Sequence, residues 1–317
     1  MSMQIKSTHF LTGEELSQPE LVQLLEFAHI LKKERDEGKL RQPFTGKTLA
    51  LLFEKPSLRT RFSFAIAIQE LGGYFVESLS STSKLEDPED VAKVLQGYVH
   101  AVMWRTHAHS NLERMVKATK IPVINGLSDT HHPCQVLADL MAIQQSFGKL
   151  QGVKLAYIGD GNNMLHSLLL LAPFLGVDLS YSCPKGYEPD NSIVMKAMSR
   201  AKEGGGKITS FATAAEAVHG VNAIYTDVWT SMGFEGQTFE RERAFAPYQL
   251  NEALYSKASG DAVVMHCLPM MRGKEISDGM ADHPRSILFR QSENRLHVQK
   301  ALLMAMMGGD ISGNFNR

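Results

Sequence analysis

Residues 153–175 read VKLAYIGDGNNMLHSLLLLAPFL, and this stretch decides the fold class. The apolar run at 153–158 predicts a buried strand, the sequence Gly159-Asp160-Gly161 a turn, and residues 164–175 a helix. Further apolar runs predict strands of the same unit at 179–183, 223–226 and 262–265. Strands that alternate with helices are typical of a parallel sheet covered on both faces.

The N-terminal half repeats this alternation. Apolar spacing predicts an amphipathic helix within residues 14–33, and a second helix at 62–71 that Gly72-Gly73 ends. Short buried strands are predicted at 49–53, 101–104 and 121–124. The first half of the chain is therefore expected to form an α/β unit of its own.

A chain of 317 residues is longer than one hydrophobic core usually supports. We predict an α/β fold with two doubly wound parallel-sheet domains joined by interdomain helices. The expected domains are residues 1–148 and 149–294, connected by a helix at 133–147. The C-terminal helix, within residues 295–317, is expected to pack back on the first domain.

The composition disfavours several classes of protein. The chain is 44% hydrophobic and 21% charged, and its net charge of -1 gives no basic field for nucleic acid. No apolar run reaches the roughly 20 residues of a membrane helix. The N-terminus has no apolar signal core, and three widely spaced cysteines suit a reducing compartment. We expect a cytoplasmic protein without nucleic-acid or membrane partners.

The segment Ser57-Leu58-Arg59-Thr60-Arg61 follows a predicted strand and opens a helix. Unpaired N–H groups and the helix dipole favour an anion at such a position, and Ser57 can cap the helix. The arginines and hydroxyls add hydrogen bonds of the geometry that phosphate prefers. A solvated helix start with a salt bridge would contain the same residues, so this alternative stays open.

The segment His132-Pro133-Cys134-Gln135 opens another predicted helix, with proline at the favoured first position. The helix dipole there disfavours the charged form of His132. A neutral imidazole can donate a hydrogen bond to a carbonyl oxygen, and Gln135 can reach the same space. The alternative is a capping histidine beside a buried thiol.

Two further stretches offer groups that suit a small amino acid. The turn at 159–163 looks like a dinucleotide fingerprint, but Met164 replaces its third glycine, and paired asparagines suit a carboxylate instead. Asp227 is predicted at the end of a strand with Ser231 four residues on, an arrangement that suits an ammonium group or an ordinary turn. Cys267 is either a small buried hydrophobe or a thiol with altered ionisation.

Four strings in this order resemble the ornithine carbamoyltransferases over nearly the whole chain: SLRTR at 57–61, HPCQ at 132–135, DVWTSMG at 227–233 and HCLP at 266–269. Leu58 stands where threonine is common in that family. Ser80 and Lys84 would be contributed by a neighbouring subunit. The resemblance implies that carbamoyl phosphate binds to Ser57, Leu58, Arg59, Thr60, Arg105, His132, Gln135, Cys267, Leu268 and Arg295.

The same resemblance implies an ornithine site made of Asn163, Asp227, Ser231 and Met232. The δ-amine of L-ornithine would attack the carbonyl carbon of carbamoyl phosphate, giving L-citrulline and phosphate. The family implies a homotrimer or a multiple of trimers, with no metal and no organic cofactor. The residues nearest the chemistry would be Arg105, His132, Asp227, Cys267 and Arg295.

Three alternatives stay open. A related carbamoyltransferase would use N-acetylornithine or putrescine, although the string Ser231-Met232-Gly233 disfavours it. A nicotinamide dehydrogenase is disfavoured by the incomplete glycine fingerprint, and a catalytically silent binding protein by the intact set of arginines, histidine and cysteine. The sequence does not decide between arginine synthesis and a catabolic role.

Overall fold

The structure is a computed structural model that describes residues 5–79, 86–230, 236 and 238–308. The chain divides into two compact units: unit 1 is Met1–Met141 with Glu293–Arg317, and unit 2 is Ala142–Ser292. Each unit contains one parallel sheet, of four strands in unit 1 and five in unit 2, so the predicted α/β class is confirmed. Across the described ranges, no helix is both long and apolar enough to cross a membrane.

The strands are short, and several of them are buried along their whole length. Every residue of the third, eighth and ninth strands is buried, as expected where helices cover both faces of a sheet. In chain order the strands are β1 (Thr48–Phe53), β2 (Tyr74–Leu79), β3 (Ala101–Arg105), β4 (Val123–Leu127), β5 (Lys154–Ile158), β6 (Asp178–Ser182), β7 (Ile208–Ser210), β8 (Ala223–Thr226) and β9 (Val263–His266).

The helices alternate with these strands. The predicted helix at 164–175 ends earlier, at Leu171, because Pro173 has no N–H to continue the helical bonds; a 3-10 turn at Pro173–Leu175 follows. The helices are α1 (Gln18–Asp36), α2 (Leu58–Glu70), α3 (Pro88–Leu95), α4 (His109–Lys117), α5 (Pro133–Phe147), α6 (Asn163–Leu171), α7 (Asn191–Gly204), α8 (Ala214–Ala217), α9 (Thr238–Phe245), α10 (Glu252–Tyr255), α11 (Asp278–Ala281) and α12 (Leu288–Met307).

In each unit the core lies between the sheet and its helices. Residues of β3 and β4 in unit 1 pack against α3 and α4, with Trp104, Leu112 and Met115 among the buried side chains. In unit 2, residues of β5, β8 and β9 pack against α8, α10 and α11. These cores fix the strands whose ends carry the predicted site residues.

The strand order in unit 1 is β2-β1-β3-β4. The direction in which successive strands are added reverses between β1 and β3, whose last residues, Phe53 and Arg105, are register partners. Open α/β sheets bind ligands at the carboxyl ends of strands at such a reversal. The Ser57 segment, which follows β1, and Arg105 therefore belong to the edge where a ligand is expected.

The strand order in unit 2 is β7-β6-β5-β8-β9, which reverses between β5 and β8. The ends of these two strands are paired, with Ile158 opposite Thr226. The turn after β5 contains Asn162 and Asn163, and Asp227 follows β8 directly. The polar residues that the sequence singled out in this half therefore follow the two strands at the reversal.

Gly161 is required by chain packing. A Cβ atom at this position would lie 2.3 Å from the carbonyl carbon of Glu188 and from the nitrogen of Pro189. The N–H of Gly161 also donates to the carbonyl oxygen of Tyr187 at 2.8 Å. Part of the glycine pattern at 159–161 is therefore explained by a neighbouring segment of backbone, with no need for a bound pyrophosphate.

Gln299 on α12 provides a test of stability. Its side chain is fully buried, and neither amide atom has a hydrogen-bond partner among the described residues. Leaving a buried polar group without a partner costs about 1–3 kcal/mol, so Gln299→Met should stabilise the fold by that order. The free energy of unfolding in urea would measure it, with exposed Gln42→Met as a control that should change little. An unchanged or lower stability in Gln299→Met would contradict the prediction.

Candidate active site

The start of α2 is built by local capping. Ser57 has extended backbone angles, and its Oγ accepts a hydrogen bond from the backbone N–H of Thr60 at 3.3 Å. The helix therefore begins at Leu58, four residues before the predicted start at 62. The first N–H groups of a helix and its dipole favour an anion. The side chain of Leu58 itself is 68% exposed, so only its backbone fits that role.

Arg295 connects three helices of unit 1. Its guanidinium, on α12, is 2% exposed and donates from Nη2 to Thr60 Oγ1 at 2.6 Å. Nη1 donates to Oε1 of Gln135, on α5, at 3.1 Å. Residues from α2, α5 and α12 that are far apart in sequence thus form one buried polar cluster.

His132 lies beside this cluster, 5% exposed at the start of α5. Burial is the main reason that its pKa is well below 6.5, and the positive charges of Arg295, Arg105 and Arg59 lower it further. The imidazole is therefore neutral at physiological pH. A neutral ring can donate a hydrogen bond to a carbonyl oxygen while the arginines supply the positive charge.

The lowered pKa of His132 makes the stability of the fold depend on pH. Because its pKa is lower in the folded chain than in the unfolded chain, it contributes stability above about pH 6.5 that is lost as the pH falls. Imidazole nitrogen shifts, assigned with a His132→Gln variant, should show a neutral ring throughout the range from pH 7.5 to about 6. Arg295→Met should raise the pKa, since Arg295 lowers it. Titration of His132 at or above pH 6.5 in the unmodified chain would refute this assignment.

In unit 2, Asp227 is the centre of a second cluster and is 5% exposed. Its Oδ1 accepts from the backbone N–H of Val228 at 2.8 Å and from Cys267 Sγ at 3.0 Å. Its Oδ2 accepts from Asn162 Nδ2 at 2.8 Å. This carboxylate is held in one orientation, as a site for an ammonium group requires.

Asn162 was predicted only as one of two asparagines suited to a carboxylate, and its contact with Asp227 was not predicted. The Oδ1 of Asn162 caps α6 by accepting from the N–H groups of Met164 and Leu165. Its Nδ2 is thereby aimed at Asp227. The signal was present, because asparagine directly before an apolar helix is a preferred N-cap. Asn163 is the first residue of α6 and is half-buried.

A buried ion pair was also missed. Arg241, on α9, pairs with Asp160 after β5, and its Nε donates to the carbonyl oxygen of Trp229 at 2.6 Å. Its guanidinium lies over the ring of Tyr187, 4.7 Å from the centroid. Burial raises the pKa of the Asp160 carboxyl to about 6 although Arg241 opposes the shift. The pair fixes the backbone two residues after Asp227, and no local pattern predicts a contact between residues so far apart.

Cys267 and Leu268 follow β9. The ring of His266 is fully buried: Nδ1 accepts from the N–H of Leu268 at 2.8 Å, and Nε2 lies 3.1 Å from Glu275 Oε1. Since Nδ1 accepts, Nε2 carries the hydrogen and donates to Glu275. Leu268 has a positive φ of 60°, a conformation that is uncommon for leucine and more frequent at functional sites.

The side chains of Asp227, His266 and Cys267 bring one ligand atom each within 4.8 Å of one another, as a metal site would. Both ring nitrogens of His266, however, are engaged with Leu268 and Glu275. A cation at this point would have to displace one of these bonds. The donor set therefore fits the binding of an amine by Asp227 better than it fits a resident metal.

The structure brings together most of the predicted residues within each unit. Ser57, Thr60, Gln135 and Arg295 share hydrogen bonds in unit 1, and Arg59 and Arg105 act electrostatically on His132. Asp227 and Cys267 are bonded in unit 2. Four predicted residues lie outside the described residues: Ser80, Lys84, Ser231 and Met232.

Two family models match the chain. Residues 8–145 match "Aspartate/ornithine carbamoyltransferase, carbamoyl-P binding domain", and residues 151–306 match "Aspartate/ornithine carbamoyltransferase, Asp/Orn binding domain". The first match includes the Ser57 and His132 segments. The second includes Asp227 and Cys267.

Known proteins agree with these matches over nearly the whole length. The ornithine carbamoyltransferase of Anoxybacillus flavithermus is 46% identical over 309 residues, which are 96% of this chain and 98% of that one. The solved ornithine carbamoyltransferase of Pyrococcus furiosus has a TM-score of 0.93 and 42% identity, over 98% of this chain and 99% of that one. A solved N-acetyl-L-ornithine transcarbamylase mutant has a TM-score of 0.84 and 28% identity, over 94% of this chain and 99% of its own. The chain belongs to the aspartate/ornithine carbamoyltransferase family.

Proposed function

We propose that this chain transfers the carbamoyl group of carbamoyl phosphate to the δ-amine of L-ornithine, producing L-citrulline and phosphate. The observation that carries the proposal is the cationic cluster of unit 1, in which the buried Arg105 and Arg295 and the half-buried Arg59 act on a neutral His132. A helix start favours the phosphate. Arginines and a neutral imidazole favour the carbonyl oxygen of the same substrate.

The residues of unit 1 divide the work on carbamoyl phosphate. Ser57, Arg59 and Thr60, with the backbone of Leu58, hold the phosphate. Arg105, His132, Gln135 and Arg295 hold the carbamoyl group and stabilise the negative charge that develops on its oxygen. Fixed donors act most strongly there because they are oriented before the reaction begins. Cys267 and Leu268 complete the set of proposed contacts to this substrate.

The residues of unit 2 select the amine. Asp227, supported by Asn162 and Cys267, binds the α-amino acid end of ornithine together with Ser231 and Met232, and Asn163 binds its carboxylate. Ornithine is preferred over N-acetylornithine because the curated relatives that are 42–46% identical over nearly the whole chain are named ornithine carbamoyltransferases, and the sequence Ser231-Met232-Gly233 disfavours the other amine.

The bond changes balance without an added reactant. The neutral δ-nitrogen forms a bond to the carbonyl carbon, and a tetrahedral oxyanion results. The bond between that carbon and the bridging phosphate oxygen then breaks, and phosphate leaves with the electron pair. The attacking nitrogen loses one proton, which the departing phosphate takes up, so hydrogen phosphate is released. Positioning of two substrates supplies much of the remaining acceleration.

A homotrimer is proposed as the working assembly. Unit 1 carries an exposed apolar face on α2 and the edge strand β2, formed by Leu58, Phe62, Tyr74 and Val76, which are 57–68% exposed. Such a face is typical of an interface between chains. Ser80 and Lys84 follow β2 in sequence and are the residues proposed to serve a neighbouring subunit.

Light scattering tests the assembly. The unmodified chain should have three times the 35.2 kDa chain mass, or a multiple of that. Phe62→Glu should reduce the mass because it places a charge in the apolar face. Phe289→Glu, at an equally exposed phenylalanine of unit 2, should leave the mass unchanged. A monomeric unmodified chain would refute the trimer.

We propose on two grounds that the reaction takes place in the cytoplasm and belongs to arginine biosynthesis. The three cysteines, all in the described part of the chain, form no disulfide with one another, which suits the reducing conditions of the cytoplasm. A relative from Pyrococcus furiosus, 42% identical over 312 residues, is named as anabolic, which favours arginine biosynthesis here.

The activity test measures phosphate release and citrulline with four acceptors: L-ornithine, N-acetylornithine, putrescine and L-aspartate. Turnover with ornithine alone is expected. Turnover only with another amine would leave the carbamoyl phosphate half of the proposal standing and overturn the role of Asp227 and the 227–233 segment. No turnover with any of them would favour a silent binding protein.

A further inference from the structure

Asp139 is a fully buried carboxylate that the proposed reaction does not use. It lies on α5, one helical turn after Gln135, and its Oδ1 accepts a hydrogen bond from Gln135 Nε2 at 2.8 Å. Burying a carboxylate costs free energy unless hydrogen bonds or opposite charges compensate it. Asp139 lies beside Gln135, a proposed substrate contact, and this position indicates a function for its carboxylate.

The other amide atom of Gln135 is hydrogen-bonded as well. Gln135 Oε1 accepts from Arg295 Nη1 at 3.1 Å, and Arg295 Nη2 donates to Thr60 Oγ1 at 2.6 Å. A guanidinium can only donate, whereas a carboxylate oxygen accepts. The amide of Gln135 therefore has only one favourable orientation, because turning it over would set its NH₂ against Arg295 and its oxygen against Asp139.

We propose that Asp139 is a positioning residue that acts through Gln135 to hold Arg295 in place for the carbamoyl oxygen. The inference rests on the proposed function. Gln135 and Arg295, which follow Asp139 in this chain of bonds, are assigned to the carbamoyl group, whereas Thr60, which is assigned to the phosphate with Ser57 and Arg59, is at its far end. Asp139 should accordingly affect turnover and leave phosphate binding intact.

Two variants at this position distinguish the misplacement of Arg295 from unfolding of the chain. Asp139→Ala removes the acceptor, and kcat should fall about 100-fold, the order expected when a catalytic group is misplaced by about 1 Å. Asp139→Asn keeps an amide oxygen that can accept the same bond, so it should recover most of kcat. Affinity for inorganic phosphate, measured by calorimetry, should stay within about threefold in both, since Arg59 is unchanged.

A double variant tests whether Asp139 acts through Gln135. If it does, Asp139→Ala combined with Gln135→Met should have the same kcat as Gln135→Met alone, because the second change has nothing left to disturb. Multiplied losses would overturn the proposal, as would an unchanged kcat in Asp139→Ala or a parallel loss of phosphate affinity.

If Asp139→Ala does not fold, Gln135→Met tests the same chain of bonds, because Gln135 lies between Asp139 and Arg295. It should lower kcat and keep phosphate affinity, and a parallel loss of both would overturn the proposal. Failure of the proposed function is distinct, because it would appear as absent citrulline formation in the unmodified chain. The variants are compared only with an unmodified chain whose turnover has been measured.

Discussion

Arg295→Met is expected to lower kcat by about 100- to 1,000-fold, the range observed when one fixed donor to an oxyanion is removed. The guanidinium is 2% exposed and is oriented by Thr60 and Gln135, so it would meet the proposed substrate without reorganisation. Methionine fills much of the same volume but offers no donor. Citrulline formation at saturating ornithine and carbamoyl phosphate would measure the loss.

Two further variants sharpen this result. Arg295→Lys retains the charge but not the fork of donors, so most of the loss should persist. Arg290→Met removes an exposed arginine of the same helix, whose Nη1 lies 3.3 Å from Ser146 Oγ, and should leave kcat unchanged. Thermal unfolding of all three would establish that they are folded. Retention of more than about a tenth of kcat in Arg295→Met would contradict the assignment of Arg295 to the carbonyl oxygen.

The fold class was predictable because it depends on local patterns. Apolar runs followed by turns predicted β1, β3 and β5 to within one residue of their observed ends. The predicted strand at 121–124 is shifted to Val123–Leu127, because Pro122 has no N–H to donate and only its carbonyl oxygen accepts, from Val102. β2 and β7 were not predicted; both are edge strands whose described side chains are exposed or half-buried, so no buried apolar run marks them.

The candidate site was predictable to the extent that its geometry is local. Ser57 caps α2 through a residue three positions away, and the sequence contains both partners. The contact between Arg295 and Thr60 joins positions 235 residues apart, and only the family resemblance suggested it. Asp139 and the pair of Arg241 with Asp160 carry no motif at all. These residues stand out because their side chains are buried, and the burial of a side chain cannot be read from a single sequence.

Asp227→Asn is the second variant from which a large effect is expected. Both carboxylate oxygens accept hydrogen bonds, from Val228, Cys267 and Asn162. An amide at this position must turn its NH₂ toward one of these donors, and it also removes the negative charge that binds the amine. Losing one partner of a buried charged pair costs about 2–5 kcal/mol, so KM for ornithine should rise about 30-fold or more.

The effect of Asp227→Asn should be confined to the amine. Phosphate affinity, which depends on the Ser57 and Arg59 segment of unit 1, should stay within about threefold of the unmodified chain. Asp261→Asn is the matched control, since Asp261 is an exposed aspartate of unit 2 that accepts from Ser259 Oγ at 2.6 Å. An equal loss of ornithine and phosphate binding would place Asp227 in the fold of the protein. A selective loss of ornithine binding would place its carboxylate in contact with the amine.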